Sequence, residues 1–143
     1  GRNLDDHIRI YKRFNEDIVK FYITNIVIGV GQLHKRGIMH RDLKLENVML
    51  CSNGYLKLID YGLAKILQAD EVAKTFAGTC EYMAPEMLDQ RQRQYDKNID
   101  WWAVGILTYE LLTGFTPFYD NNRHQIHNKI RSKNDIILQL KSD

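Results

Sequence analysis

The stretch His40-Arg41-Asp42-Leu43-Lys44-Leu45-Glu46-Asn47 sets acids, cations and a carboxamide side by side, and the apolar run Val48-Met49-Leu50 follows at once. A further acid, Asp60, stands in Asp60-Tyr61-Gly62 behind a second apolar run. Phosphoryl transfer draws on these parts: a carboxylate that accepts a hydroxyl proton, a cation near the transferred group, and oxygen ligands for Mg2+. A plain charged turn between a helix and a strand would need charge, but not this order of residue types.

Outward from that stretch, the chain reads as mainly α with a small β-hairpin. Toward the amino terminus, Ile18, Tyr22, Ile26, Val30 and Leu33 recur every three or four positions. This predicts a long helix from Asn15 to Arg36 with one buried stripe, capped by Asn15 and closed by Gly37. Gly29 and Gly31 each weaken such a helix by about 1 kcal/mol relative to Ala, which points to close packing of a neighbour. Leu4, Ile8 and Tyr11 predict a short amphipathic helix before it.

Toward the carboxy terminus, Ser52-Asn53-Gly54 separates the apolar runs Val48–Cys51 and Tyr55–Asp60, a strong hairpin signal. Asn47 just precedes the first strand and Asp60 ends the second, so the hairpin brings both oxygen ligands to one edge. Leu63 to Lys74 has no period and reads as a loop. Residues 75–86 form a turn-rich segment running into a short helix near Leu88, and residues 90–98 an exposed connection. Asp100 to Thr113 is apolar on nearly every side and predicts a central helix, started by Asn98 or Asp100 and stopped by Gly114 and Pro117. Residues 122–131 read as another short helix, and Ile136 to Leu140 as a brief apolar patch.

Composition narrows the class. The 143 residues, 44% hydrophobic and 27% charged, suit one globular core. A net charge of +2 is too small to make nucleic acid or an anionic membrane the main partner. The best apolar run, Phe21 to Val30, is interrupted by Thr24 and Asn25 and falls short of membrane-spanning length. The amino terminus lacks a signal-peptide pattern. Cys51 and Cys80 do not make a disulfide framework, so a reducing, cytoplasmic setting is expected. His124 and His127, without a thiolate or third nitrogen nearby, read as a solvated helix face.

Residues 40–47 resemble the catalytic loop of eukaryotic protein kinases, H-R-D-L-x-x-x-N. Asp60-Tyr61-Gly62 resembles their Asp-Phe-Gly motif, and Ala84-Pro85-Glu86 matches Ala-Pro-Glu. Asp100-Trp101-Trp102-Ala103-Val104-Gly105 resembles the central-helix motif, so the likeness runs in family order over essentially the whole chain. The resemblance implies ATP and Mg2+ as cofactors. Asp42 would accept the substrate hydroxyl proton, Lys44 would neutralise charge on the γ-phosphoryl group, and Asn47 and Asp60 would hold the metal. It further implies that Thr79 bridges Asp42 and Lys44, that Met49 lies under the adenine, and that Asp100 hydrogen-bonds the catalytic-loop backbone. His40 and Tyr61 would stack in a hydrophobic column.

Lys44 two residues after the acid, and Gly78-Thr79 ahead of Glu81-Tyr82, resemble the serine/threonine pattern, and the finer likeness is to the AGC group. That likeness implies that Glu46 and Glu110 bind arginine on the amino-terminal side of the phosphoacceptor, so the partner is a protein substrate with basic residues. Phe76, Cys80 and Met83 would line the pocket for the following residue, with an apolar preference. Thr75 would be phosphorylated by an upstream kinase, and its phosphate would dock on Arg41 with Lys65 as a second cation.

The sequence also departs from the family. Tyr61 replaces phenylalanine, and Asn3 stands where an acid contacts the ribose and the substrate arginine. No glycine-rich loop, strand lysine or paired helix glutamate precedes Gly1. Residues 1–143 therefore resemble the large carboxy-terminal lobe of a kinase domain, with an amino-terminal lobe expected as its partner and no transfer expected from the chain by itself. Glu86 is expected to be a buried acid whose usual arginine partner lies beyond the sequence. The alternative is a pseudokinase or truncated lobe acting as a binding module, presenting Glu46 and Glu110 to a basic partner.

Overall fold

Two asparagines start the first two helices. A computed structural model describes residues 1–66, 73, 77–89 and 94–132. In it Asn3 caps α1 (Leu4–Tyr11), its Oδ1 accepting the Asp6 N–H at 2.8 Å. Asn15 caps α2 (Glu16–Lys35) in the same way, accepting from Ile18 at 2.9 Å. Acids fill the first turn of each helix, where the dipole favours them.

The expected buried stripe of α2 holds at Ile26 and Val30 and shifts by one residue at its two ends. Val19, Ile26, Val30 and His34 are buried, whereas Ile18 is 38% exposed. Tyr22 and Leu33 pack against the core only in part. Spacing alone fixes a period but not which of two adjacent branched residues faces inward. On α1, Leu4 and Ile8 are buried and Tyr11 is 62% exposed. Gly29 does admit a neighbour, since a Cβ there would lie 3.3 Å from Leu58, but nothing lies within 4 Å of such an atom at Gly31.

The predicted hairpin forms. β2 (Val48–Leu50) pairs antiparallel with β3 (Leu56–Leu58), with Val48 opposite Leu58. The ladder extends one step, the Ile59 N–H donating to the Asn47 carbonyl at 2.9 Å. A second small sheet was not expected from the sequence. β1 (Ile38–Met39) pairs with β4 (Lys65–Ile66), inside the stretch read as loop. Two-residue strands carry no detectable period, so nothing local announces them.

α3 (Asn98–Thr113) is the central helix. Its first N–H is held by Asp96, whose carboxylate accepts from Asn98 at 2.8 Å. Asn98 thus starts the helix as expected, and Asp100 is left for the loop described below. One face of α3 joins α1, α2 and the hairpin in a core that includes Leu4, Ile26, Val48 and Leu107. The other joins Met39, Met83, Met87, Phe118 and α4 (Arg123–Ser132) in a second core. Tyr95 belongs there too, at 3% exposed, within a segment read as an exposed connection. Gly114 ends α3 at φ 91°, and a Cβ there would collide with the Lys12 carbonyl oxygen, so the ends of α1 and α3 can meet only over glycine. Short 3-10 turns occupy Leu45–Asn47, Cys80–Tyr82 and Pro85–Met87. The patch Ile136 to Leu140 lies outside the described residues.

Cys51 and Cys80 are free thiols. Among the described residues no helix is long and apolar enough to cross a membrane. An open apolar groove of about 550 Å³ runs along α3 past Trp101, Gly105 and Leu112, and its lining does not include Asp42.

Candidate active site

Asp42 sits in a loop pinned at both ends by buried side chains. His40, Leu43 and Leu45 are each at most 1% exposed, and Asp42 itself is 8% exposed. Apolar anchors around a polar loop fix its position without filling the space in front of the carboxylate. From α3, Asp100 reaches the same loop: its Oδ2 accepts the His40 N–H at 2.9 Å and its Oδ1 the Arg41 N–H at 3.0 Å. The ring Nε2 of His34, on α2, donates to the same carboxylate at 2.7 Å. Arg41 takes a left-handed backbone, φ 68°, which costs a non-glycine residue about 1–2 kcal/mol. The bond from its N–H to Asp100 helps to offset that strain.

Three expected residues come together on Asp42. Lys44 Nζ lies 2.9 Å from its Oδ2. The Thr79 hydroxyl donates to Oδ1 at 2.8 Å and accepts from Lys44 at 3.1 Å, so Thr79 does bridge the acid and the lysine. The Asn47 side-chain amide donates to the Asp42 carbonyl at 2.8 Å and to its carboxylate at 3.1 Å. Burial alone would push the Asp42 carboxyl up; the bonds from Lys44 and Thr79, the lysine charge and the Asn47 amide outweigh it and hold the group below the usual carboxylate range. Asp42 is therefore ionised at neutral pH. The approach of Thr79 depends on Gly78, φ 112°, where a Cβ would lie 2.7 Å from the Arg41 carbonyl oxygen.

Asn47 and Asp60 lie at one end of the hairpin, as expected. The Asn47 NH2 is engaged by Asp42, which turns the amide oxygen away from that residue. Asp60 is exposed, with a left-handed backbone at φ 60°, and its Oδ1 accepts the Gly62 N–H at 3.1 Å. Among the described residues no three His, Cys, Asp or Glu side chains form a metal site of their own. One carboxylate and one carboxamide oxygen fit Mg2+ shared with phosphate oxygens, the habit of an ion that keeps most of its shell outside the protein.

Asn3 is put to another use. The Asn3 side-chain oxygen is engaged in capping α1, because a short carboxamide just ahead of a helix satisfies its free N–H groups. Met49 is half-buried in β2, its backbone bridged to Asn3. Met83 is 2% exposed and belongs to the second core, and together with Thr79 and Tyr82 it lines a small recess beside Asp42, whereas Cys80 is half-buried. Glu86 is exposed rather than buried. Tyr61 is 48% exposed and tilted 55° to His40 at 5.2 Å, with its hydroxyl donating to the Leu58 carbonyl at 3.3 Å. Arg41 Nε donates to the Leu63 carbonyl, and Lys65 lies in β4 opposite Met39. Thr75 and Phe76 lie outside the described residues.

Glu46 is exposed on its 3-10 turn, and Glu110 is half-buried on α3, where the Tyr82 hydroxyl donates to it. Burial first, then the charges of Glu46, Glu81 and Asp5, push Glu110 up to about 7 against the pull of Tyr82. Burial and the same carboxylate push the Tyr82 phenol up as well. A carboxyl raised on folding favours the folded state most below its ordinary value of 4.5, and that contribution is lost as pH rises through about 7. Because the group is partly solvated, the loss is about 1–2 kcal/mol. Glu110→Gln should remove this pH dependence, and urea unfolding at pH 5 and pH 8 measures it. Equal slopes against pH in both proteins would count against a buried acid here.

His34 and Tyr82 were missed in the sequence. His34 extends the buried period of α2 past Val30, a signal that could have been followed. Tyr82 was passed over because its partner, Glu110, is 28 residues away.

The whole chain, residues 1–143, matches the protein kinase domain family, and the chain belongs to that family. Its similarities are to AGC-type serine/threonine kinases. The serine/threonine-protein kinase sgk-1 of Caenorhabditis elegans is 40% identical over 91% of this chain and 28% of its own length. The cAMP-dependent protein kinase catalytic subunit of Dictyostelium discoideum is 40% identical over 91% of this chain and 19% of its own. The serine/threonine-protein kinase SCH9 of Candida albicans is 39% identical over 96% of this chain and 18% of its own. The chain thus spans less than a third of each of these relatives.

Proposed function

We propose that the protein containing this chain transfers the γ-phosphoryl group of ATP to serine or threonine hydroxyls of protein substrates with basic residues near the acceptor. The observation that carries this reading is Asp42, ionised and held between Lys44 at 2.9 Å and Thr79 at 2.8 Å. The acceptor oxygen would bond to the γ-phosphorus as the bond to the ADP oxygen breaks, and the hydroxyl proton would pass to the Asp42 carboxylate. Lys44 would face the charge on the transferred group. Asn47 and Asp60 would hold Mg2+, which supplies charge neutralisation on phosphate oxygens. A lobe that served only as a binding module would not need Thr79 to join the acid to the lysine.

Glu46 and Glu110 would attract a substrate guanidinium, since their charges already act on each other. Relatives named as serine/threonine kinases support the acceptor class. We extend the reading to the parts the resemblance implies. An amino-terminal lobe covers the nucleotide, with Met49 beneath the adenine, and without that lobe the chain transfers no phosphate. An upstream kinase acts on Thr75, whose phosphate pairs with Arg41 and Lys65. The setting is cytoplasmic.

The test uses the full-length protein, MgATP and peptides that differ only at the acceptor. Serine and threonine peptides should be phosphorylated and the tyrosine peptide should not. Replacing the flanking arginines by alanine should lower kcat/KM about tenfold or more, ~1.4 kcal/mol. Efficient tyrosine phosphorylation, or indifference to the arginines, would refute the assignment.

A further inference from the structure

Ser52, Asn53, Gly54 and Tyr55, in the turn that joins β2 to β3, are all exposed. The Cys51 N–H donates to the Tyr55 carbonyl at 2.9 Å and the Gly54 N–H to the Cys51 carbonyl at 2.9 Å, which closes the turn. Within it the Asn53 side chain folds forward, its Oδ1 accepting the Tyr55 N–H at 3.1 Å. An asparagine oxygen bonded to the N–H two residues on brings the side-chain carbonyl carbon beside the intervening backbone nitrogen, here that of Gly54. Gly54 takes φ 84°, and a Cβ added there would meet nothing within 4 Å, so the space around this residue is open.

This arrangement suits a reaction that asparagine undergoes without a catalyst. The nitrogen of the following residue attacks the side-chain carbonyl carbon, and a new N–C bond closes a cyclic imide. The side-chain nitrogen leaves as ammonia, taking up the proton that the backbone nitrogen gives up. Water then adds to one or the other carbonyl of the imide and opens it, to aspartate or to isoaspartate. Holding the reacting atoms together makes the first step intramolecular, and a donor on the oxygen that gains charge, here the Tyr55 N–H, lowers its barrier. The bond from Gly54 to the Cys51 carbonyl opposes it, because the nitrogen must leave that bond to react, yet an exposed turn opens locally at little cost. Other asparagines are engaged elsewhere: Asn3 and Asn15 cap helices, and Asn25 and Asn47 donate their amides to backbone carbonyls. None of these four precedes a glycine.

We propose that Asn53 is a modification site, converted in the folded protein by water alone to aspartate and isoaspartate through a cyclic imide with the Gly54 nitrogen. Aspartate at this position keeps an acceptor for the Tyr55 N–H and adds a negative charge to the turn. Isoaspartate adds a carbon to the backbone between the strands, so the bonds that tie Cys51 to Gly54 and Tyr55 no longer close. The pairing of Leu50 with Leu56 beside the turn should then loosen before that of Val48 with Leu58. The conversion needs neither nucleotide nor a second protein, so its test is separate from that of phosphoryl transfer.

The experiment ages the full-length protein in mildly acidic and mildly alkaline buffer, folded and in urea, beside its Gly54→Asp and Asn53→Ser variants. Proteolytic peptides are then separated and weighed, and fragmentation tells isoaspartate from aspartate. In the folded native protein the Asn53 peptide should gain the mass of NH replaced by O and split into both products. It should do so about tenfold or more faster than any other asparagine among the described residues, ~1.4 kcal/mol of barrier. The rate should rise in alkaline buffer, because the attacking nitrogen must lose its proton. Aspartate tolerates a left-handed backbone better than most residues, so Gly54→Asp keeps the turn while its Cβ crowds the attack, and the rate should fall about tenfold. Asn53→Ser has no carboxamide and should leave this peptide unchanged. Conversion seen only in urea, or no faster than at the other asparagines, overturns the proposal. Aspartate formed without isoaspartate would mean direct hydrolysis and overturns the imide.

Discussion

Asp42→Asn in the full-length protein is expected to lower turnover on a basic serine peptide by about 10²–10⁴-fold, the usual contribution of a positioned general base. Asparagine keeps nearly the shape of aspartate, and the Thr79 hydroxyl and the Asn47 amide can still find an acceptor on it. What disappears is the negative charge. That charge is held at neutral pH by Lys44 at 2.9 Å and Thr79 at 2.8 Å, despite burial that would raise its pKa. The variant should therefore bind nucleotide and peptide with KM values close to those of the native protein, the loss falling on kcat. Its effect on stability should be small, about 1 kcal/mol, since the loop anchors His40, Leu43 and Leu45 are untouched. Steady-state kinetics with both substrates varied separates the two parameters. Turnover within a factor of about three of the native value would remove Asp42 from the chemistry, because no general base contributes so little.

The site was more legible than the framework that carries it. Asp42, Lys44 and Asn47 could be read because the chemistry demands those residue types in that order, Thr79 only through the family resemblance, and the structure brings all four within hydrogen-bonding distance. The Asn53-Gly54 hairpin was equally readable, since that dipeptide favours a turn whose twist matches its strands. Less legible was anything set by contacts distant in sequence. The pairing of β1 with β4 joins Met39 to Lys65 through two-residue strands with no pattern of their own. The inward face of α2 turned on Val19 rather than Ile18, a choice made by what packs against the helix and not by its period. Glu86 was assigned to the interior from its motif but is exposed, since a glutamate is compatible with either environment. α3 does start at Asn98, and the acid that accepts its N–H, Asp96, could have been found from a capping reading, because an acid two positions ahead of the first helical N–H is well placed to accept from it.

The freeing of Asp100 from helix capping gives the second large expected effect. Asp100→Ala should destabilise the fold by about 3–5 kcal/mol and also depress turnover. The carboxylate is 1% exposed and accepts from three donors: His34 at 2.7 Å, His40 N–H at 2.9 Å and Arg41 N–H at 3.0 Å. Alanine leaves these donors without an acceptor in the interior, and each unmade bond there carries a desolvation penalty of about 1–3 kcal/mol. The strain at Arg41 makes matters worse, since its left-handed backbone at φ 68° is held in part by that bond. Asp42 comes next in the chain, so release of the strained residue should move the carboxylate off the line set by Thr79 and Lys44. Removing the imidazole as well distinguishes this account from simple loss of packing. In a His34→Phe, Asp100→Ala double variant the side-chain donor is gone, so its stability should be higher than the sum of the two single losses predicts. Urea unfolding of the native protein and the three variants gives the coupling directly, provided the slope with denaturant stays constant. Additive losses would mean that His34 and Asp100 do not act on each other. A loss below about 1 kcal/mol for Asp100→Ala would mean that the loop carrying Asp42 is held by its apolar anchors alone.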